Sequence, residues 1–414
     1  MLEAKYQDFY DQIIHKIPKE KIFTDKLHTL AYGTDASFYR LIPKIVIKTD
    51  NAKEVQDIIE LSNSMNLSIT FRAGGTSLSG QAISDSILII TSRNFSNFKI
   101  ASDVSYISLE PALTGAQVNG LLARYSKKIG PDPASINAAM IGGIAANNAS
   151  GMCCGISQNS YKTLKSMKLI FSDGTKLDTS CEKSKDSFRK THGEFLKNLK
   201  SFSDDTKANE ELRAKIERKY KIKNTCGYSL NSLIDFDDEF EILEHLIIGS
   251  EGTLAFIEEI TYYTVEDLKD KASTLIYFKD IKEACSAVTK LKLAKEAKTI
   301  NVEAVELMDR AGLASIENDP AMPVFIKDFD EKVTALLIET RALSDEQLDI
   351  QTAQIEELLS EFSVVRDIYF TKDVAEYTLY WKIRKGLFPA VGAVRETGTT
   401  VIIEDVAYPI ECLA

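Results

Sequence analysis

The 414-residue sequence is 44% hydrophobic and 27% charged, the balance of a chain with a substantial core and length for two or three domains. Its formal charge of −11 argues against a nucleic-acid binder, which needs a basic face to neutralise phosphates. No apolar run approaches the roughly 20 residues of a membrane-spanning helix, and the charged N-terminus lacks the apolar core of a secretory signal, so no transmembrane segment and a cytoplasmic location are expected.

In chain order, "KIVIK" (44–48) reads as a strand, and "AKEVQDIIELSNSMN" (52–66) as a helix with Val55, Ile58, Ile59 and Ser62 on one face. "LSITF" (67–71) is the next strand, and this βαβ unit leads into "RAGGTSLSG" (72–80), three glycines among small residues. "SILIIT" (86–91) and "YISLE" (106–110) read as further strands, and "TGAQVNGLLARYSKK" (114–128) as a helix with Val118, Leu121, Leu122 and Tyr125 at helical spacing. Residues 130–161 are dense in Gly, Ala, Ser and Asn and poor in charge. Surface loops are usually richer in charge, so this stretch suggests backbone packed closely against something.

"SMKLIF" (166–171) reads as a strand closed by the turn "SDGT" (172–175), and residues 182–222 as a charged helical excursion into solvent. "LIIGSEGTLAFIE" (246–258) reads as one strand that breaks at Gly-Ser-Glu-Gly and resumes as another. Beyond about residue 270 the glycine turns stop. "STLIYF" (273–278), a helix at 281–296, "TINVEAVEL" (299–307), "VTALLIET" (333–340), a helix at 344–361 and "VVRDIYF" (364–370) give a ferredoxin-like β-α-β alternation. The expected class is α+β, with domains at 1–268 and 269–414.

Six cysteines, at 153, 154, 181, 226, 285 and 412, are too sparse for a disulfide framework. The vicinal Cys153 and Cys154 read as small buried residues of a tight loop in preference to a redox pair. With no CxxC pair and only four histidines, no zinc or iron–sulfur site built from this chain alone is expected.

Three Gly-rich turns at strand ends suit a ligand with phosphates, because amides unshielded by Cβ atoms can converge on oxyanions. "GGTSLSG" lacks the GK[ST] of a P-loop, and no G-x-G-x-x-G opens a helix after the first strand. Hairpin or bulge glycines explain any one turn as well, but they leave the neutral 130–151 segment unexplained.

The series "RAGGTSLSGQA", "GPDPAS", "IGGIAANNASGM" and "IIGSEGTLAFI" resembles the FAD-binding domain of the vanillyl-alcohol oxidase and p-cresol methylhydroxylase (PCMH) superfamily. Within it, "NNASGMCCG", "QNSY" and "VIIEDVAYP" are similar to the long members of the glycolate oxidase, D-lactate dehydrogenase and D-2-hydroxyglutarate dehydrogenase branch, in which an iron–sulfur part follows. The resemblance covers most of the chain and implies a PCMH-type FAD-binding domain of two α+β subdomains, then a ferredoxin-like α+β substrate or cap domain. It implies that Arg72, Gly74, Gly75, Thr76, Ser77 and Gly80 wrap the FAD pyrophosphate. Pro131, Asp132, Ser135, Gly142, Gly143, Asn147, Asn148, Ala149, Ser150 and Gly151 would lie along the ribityl chain and isoalloxazine ring, and Gly249, Glu251, Gly252, Thr253 and Ile257 near the adenine end. Relatives that attach flavin covalently through the first loop carry a His just after its paired glycines. Thr76 and Ser77 stand there, so FAD is expected to be non-covalent.

Oxidation of a 2-hydroxy acid needs a cation for its carboxylate and a base for its hydroxyl proton. The resemblance points to Arg384 of "YWKIRKGLFPA" as the carboxylate clamp, a guanidinium fitting it with two parallel hydrogen bonds; an ordinary helical ion pair explains this Arg nearly as well. No convincing base is visible. His245 reads as a half-buried helical residue, and Glu404 and Asp405 as strand-end carboxylates that could face the site. The family's metal-binding histidine motif and cysteine clusters would follow "VIIEDVAYP", so divalent metal and iron–sulfur cluster are expected only in a C-terminal part beyond this sequence. The expected function is oxidation of a D-2-hydroxy acid (D-lactate, glycolate or D-2-hydroxyglutarate), with electrons leaving to quinone or the iron–sulfur part. Quinone leaves peripheral association with the inner membrane open, although no basic amphipathic helix supports it. The alternatives are another flavin chemistry on the same fold, or a non-catalytic FAD-binding electron-transfer subunit.

Overall fold

The computed structural model describes residues 2–151, 155–224, 227–318, 323–394, 396–399 and 408–413. The chain divides into two compact units, Met1–Glu266 and Asp267–Ala414. Among the described residues, no helix is long and apolar enough to cross a membrane.

The first unit opens with α1 (Ala4–Ile13), which buries Tyr6, Phe9 and Ile13 at helical spacing, followed by β1 (Ile22–Phe23) and α2 (Lys26–Ala31). The βαβ unit forms as its pattern dictates: β2 (Ile45–Thr49), α3 (Ala52–Ser64) and β3 (Ile69–Arg72). Asn51 caps α3 by accepting from the Glu54 N–H, and Val55, Ile58, Ile59 and Ser62 are buried. β4 (Ile87–Thr91) inserts parallel between β2 and β3, giving the order β1-β2-β4-β3. Strands covered on both faces read as continuous apolar runs, and Ile45 to Ile47 and Ile87 to Ile89 are all fully buried. The first glycine turn thus leaves the carboxyl edge of parallel strands, the edge where open sheets of this kind bind ligands.

The second subdomain contains β5 (Phe98–Ile100), β6 (Tyr106–Leu109), α4 (Gly115–Leu122), β7 (Lys127–Ile129), α5 (Ile141–Asn147), α6 (Ser160–Thr163), β8 (Leu164–Ile170) and β9 (Lys176–Asp178). Helices α7 (Glu182–Ala208), α8 (Glu210–Lys219), α9 (Ser232–Asp235) and α10 (Glu239–Ile247) then precede β10 (Phe256–Glu266). β10 is central to an antiparallel sheet of order β5-β6-β10-β8-β9, and its end also pairs with β7.

Two expectations fail here. The 182–222 region is helical but not wholly solvated, since α7 buries Phe188, Leu196, Ser203 and Thr206, and the two apolar members join the main core. The apolar residues ahead of Gly249 are not a strand: Leu246 and Ile247 end α10, which Asp238 caps and which buries Phe240, Leu243 and Ile247 at helical spacing. Three apolar residues fit a strand or a buried helix end equally, and the period decides only with the preceding turn included.

The second unit comprises β11 (Asp270–Phe278), α11 (Ile281–Glu296), β12 (Ala304–Met308), α12 (Arg310–Ile316), β13 (Thr334–Ala342), α13 (Asp345–Leu359) and α14 (Val374–Val394). The sheet order is β11-β13-β12, all antiparallel. Residues 364–370 do not form the expected fourth strand. Only isolated bridges, Val364 to Phe278 and Thr371 to Ser273, tie the segment to the β11 edge. Seven residue steps span what β11 covers in five, and the surplus prevents a continuous ladder. The position is still that of the edge strand in a ferredoxin-like sheet, with α11 and α13 packed on Ile276, Phe278, Leu336 and Ile338 of one face. Glu339, Trp381 and Arg384 belong to the opposite face, because neighbours along a strand point to opposite sides.

Candidate functional site

The first turn forms only because glycine permits it. Gly75 has φ +65° and Gly80 φ +81°, and a Cβ on Gly74 would lie 2.5 Å from the carbonyl oxygen of Ala138. Gly74 therefore rests on the 130–151 segment. The Arg72 guanidinium is engaged by the protein itself: Nη1 donates to the Thr34 carbonyl at 2.7 Å, the group packs against Gly75, and burial pulls its pKa down. The Ala36 N–H donates to the Gly75 carbonyl at 3.0 Å, and Asp35 accepts from the Ala82 N–H at 3.4 Å. Residues 32–36 thus buttress the turn, a role absent from the sequence reading. Its signal was "YGTDAS", a glycine followed by an Asx turn in which Asp35 accepts from the Ser37 N–H. Thr76 is half-buried, and the Ser77 hydroxyl bonds Gln81.

In the second segment Pro131 is buried, and the Ser135 carbonyl accepts from Ala138 and Ala139, both at 2.8 Å. Gly151 packs so tightly on Asp132 that any Cβ there would overlap that residue. Gly142 abuts Pro111, whereas among the described residues Gly143 meets only the Ala73 Cβ at 3.5 Å, an ordinary contact. α5 ends at Asn148 in a left-handed conformation, φ +51°; the Ala149 N–H bonds back to Ile144, Asn148 Oδ1 accepts from the Tyr161 N–H, and Ser150 is half-buried.

The third turn carries Gly249 (φ +84°), Glu251 (φ +53°) and Gly252 (φ +73°). A left-handed glutamate is strained backbone, and its surroundings hold it: its N–H donates to the Ala146 carbonyl at 2.9 Å, and its Oε1 accepts from Asn147 Nδ2 at 2.7 Å. Burial raises the Glu251 pKa, partly offset by that bond. The Gly249 N–H donates to Ala145, and a Cβ on Gly252 would sit 3.2 Å from the Phe71 ring. Thr253 Oγ1 donates to the Ser250 carbonyl and bonds Tyr228, a residue the sequence reading missed. Ile257 lies elsewhere, in the core of the unit on β10.

The three turns are therefore stacked together, first on second through Gly74 and Ala138, second on third through Asn147 and Glu251, and third on the strand that feeds the first through Gly252 and Phe71. They suit a dinucleotide such as the expected FAD. Among the described residues, Gly143 keeps a backbone face open where a side chain would project, and the buried Ser250 hydroxyl has no hydrogen-bond partner.

His245 is not a base for this site. It is buried on α10 between Phe236 and Tyr161, bonds the Glu241 carbonyl, and desolvation lowers its pKa to about 4. In the second unit, Arg384 Nε and Nη2 both bond Glu306 Oε2, at 3.0 and 2.8 Å. Cys153, Cys154, Glu404 and Asp405 lie outside the described residues.

Residues 43–180 match the model of an FAD binding domain, and residues 268–414 that of the C-terminal domain of FAD linked oxidases. D-2-hydroxyglutarate dehydrogenase of Haemophilus influenzae is 25% identical over 266 residues, covering 62% of this chain and 26% of that protein. D-lactate dehydrogenase of Archaeoglobus fulgidus is 23% identical over 305 residues, covering 71% and 56%. The chain thus spans about a quarter of the first and just over half of the second. The solved structure of p-cresol methylhydroxylase with substrate bound aligns with a TM-score of 0.63 at 12% identity, covering 94% of this chain and 70% of that one, a likeness of fold. With an FAD binding domain ahead of the C-terminal domain of FAD linked oxidases, the chain belongs to the FAD-linked oxidase family.

Proposed function

We propose that this chain is the flavin and substrate part of an FAD-dependent dehydrogenase that oxidises a D-2-hydroxy acid (D-lactate, glycolate or D-2-hydroxyglutarate) to the 2-oxo acid. The observation that carries the reading is the stacking of three Cβ-poor turns, the first of which leaves the carboxyl edge of a parallel sheet, in a chain whose relatives are named as D-2-hydroxy acid dehydrogenases. In this reading the amides and hydroxyls of residues 74–80 hold the pyrophosphate, the 131–151 segment lies along the ribityl chain and ring, and residues 249–253 close the adenine end. Thr76 and Ser77 in place of a histidine leave FAD non-covalent.

When bound, FAD supplies a two-electron acceptor. The chain's residues do the rest: Arg384 binds the carboxylate through paired hydrogen bonds, which fixes the hydroxyl-bearing carbon and removes a degree of freedom from the reacting pair. Loss of two electrons and two protons turns the hydroxyl-bearing carbon into the carbonyl of the 2-oxo acid, and the electrons pass on to quinone or an iron–sulfur part. The neutral, packed His245 takes no part in moving the hydroxyl proton.

The test is anaerobic mixing of the FAD-loaded chain with D-lactate, glycolate and D-2-hydroxyglutarate in turn. Bleaching of the flavin band by at least one of the three is the expected result, and for D-lactate or D-2-hydroxyglutarate by the D acid and not by its L enantiomer. A flavin that stays oxidised with all three refutes the reading, and favours the non-catalytic electron-transfer subunit.

A further inference from the structure

We propose that Glu306 is a positioning residue, which grips one edge of the Arg384 guanidinium so that the other edge is presented to a substrate carboxylate. This rests on the reading of Arg384 as the clamp.

A guanidinium has a side-on edge, Nε with Nη2, and an end-on edge, Nη1 with Nη2, and each can take a carboxylate. Glu306 occupies the side-on edge with one oxygen, Oε2, which accepts from Nε at 3.0 Å and Nη2 at 2.8 Å. Nη1 has no partner among the described residues. The end-on edge thus meets no described side chain and lies on a guanidinium that stays 32% exposed, while the Glu306 side chain that grips the other edge is only 17% exposed.

The backbone on both sides of the pair is fixed. Glu306 lies on β12, two residues from Ala304, which pairs with Glu339 of β13, so both carboxylates point from the same face of the sheet. Glu339 is 1% exposed and accepts from Trp381 Nε1 at 2.5 Å, Ser273 Oγ at 3.1 Å and Arg341 Nε at 2.7 Å. Trp381 and Arg384 are three residues apart on α14 and share a helix face. The helix is thus docked through two carboxylates one residue pair apart, Glu339 setting its height through Trp381 and Glu306 setting the guanidinium's rotation. A long, free arginine would lose that orientation to rotamer entropy each time it bound a ligand.

Glu306 also places a negative charge beside the carboxylate it helps to bind, so its geometry and its charge act in opposite directions. Three variants of the FAD-loaded chain separate them, read by steady-state and anaerobic flavin reduction with the D-2-hydroxy acid that bleaches it and with the corresponding amide. Glu306→Gln keeps an acceptor at the same reach and removes the charge; its KM for the acid is expected to fall severalfold. Glu306→Asp keeps the charge and loses reach, and Glu306→Ala loses both; in each, KM for the acid is expected to rise roughly tenfold, with kcat moving less. The preference for acid over amide shrinks by the same factor, whereas a merely structural role would depress both substrates alike.

A KM at or below that of the parent in Glu306→Asp and Glu306→Ala, or equal losses on acid and amide, overturns the proposal. Glu306→Gln and Glu306→Asp keep it falsifiable should the Ala variant fail to fold. Arg384→Met distinguishes the failures. If it lowers use of the acid while the Glu306 variants do not, positioning alone is wrong; if it too changes nothing, the clamp falls, and this proposal with it.

Discussion

Replacing Gly143 by Ala tests whether the open face of α5 belongs to a ligand. Among the described residues the added methyl meets one atom, the Ala73 Cβ at 3.5 Å, so they can hold it without moving. Ala also replaces the helix former of highest backbone entropy, and the flavin-free protein should gain up to about 1 kcal/mol. If the flavin packs against that face, the same methyl takes space from the ligand, an overpacking cost of about 1–3 kcal/mol. That is a Kd weakened roughly 5- to 150-fold. The assay pairs thermal melting of the flavin-free protein with FAD titration by quenching of flavin fluorescence. Gly74→Ala and Gly142→Ala are the contrast: their methyls would meet the Ala138 carbonyl oxygen at 2.5 Å and the Pro111 Cβ at 2.7 Å, so both should destabilise the flavin-free fold itself. A Gly143→Ala protein that is as stable as the parent and binds FAD as tightly would refute the placement of the ligand on α5.

Other expectations follow from buried charge. Desolvation raises Glu244 from its ordinary 4.5 to about 7, with Glu241 and Asp238 adding to the rise and Thr179 and Lys185 opposing it. The stability of its neutral form is fully present below pH 4.5 and is lost as pH rises through about 7. At roughly 1.4 kcal/mol per pH unit, Glu244→Gln should be more stable than the parent by about 3 kcal/mol more above pH 7 than at pH 4.5, by urea unfolding at each pH. The neighbouring His245 acts in reverse: held at about 4 against an ordinary 6.5, it contributes stability present above pH 6.5 and lost as pH falls through about 4. His245→Phe should cancel about 3 kcal/mol of acid destabilisation over that window, and a pH-independent offset in either variant would contradict the assigned cause. Arg72→Met removes the bond to the Thr34 carbonyl and should free residues 32–36, with faster proteolysis there and an FAD Kd weakened at least tenfold; unchanged proteolysis would show that the buttress is dispensable.

Local pattern accounts for what the sequence made legible. The β2-α3-β3 unit and the helix Ile281–Glu296 appear where their apolar spacing and their caps, Asn51 and Asp280, place them. The glycine turns were legible because glycine marks positive φ and close approach, as at Gly75, Gly249 and Gly252. What joins them was not, because those contacts are long-range: Asn147 reaches Glu251 across 104 positions and Arg72 reaches Thr34 across 38. Nothing in the sequence announced a left-handed Glu251, a residue that rarely adopts it, or that Arg72 would serve the protein's own carbonyls. "VVRDIYF" has every local mark of a strand, and only its length against β11 keeps it out of the ladder. Arg384 could be read as a candidate cation, whereas its partner Glu306, 78 positions away on another strand, could not.

The most direct test of the central claim, that the three stacked turns hold FAD without a covalent bond, is the visible absorption spectrum of the purified protein before and after acid precipitation. The account predicts a flavin band that moves wholly into the supernatant. A band retained in the pellet would contradict the non-covalent assignment at Thr76 and Ser77, and no band even after incubation with FAD would contradict the reading of the glycine turns.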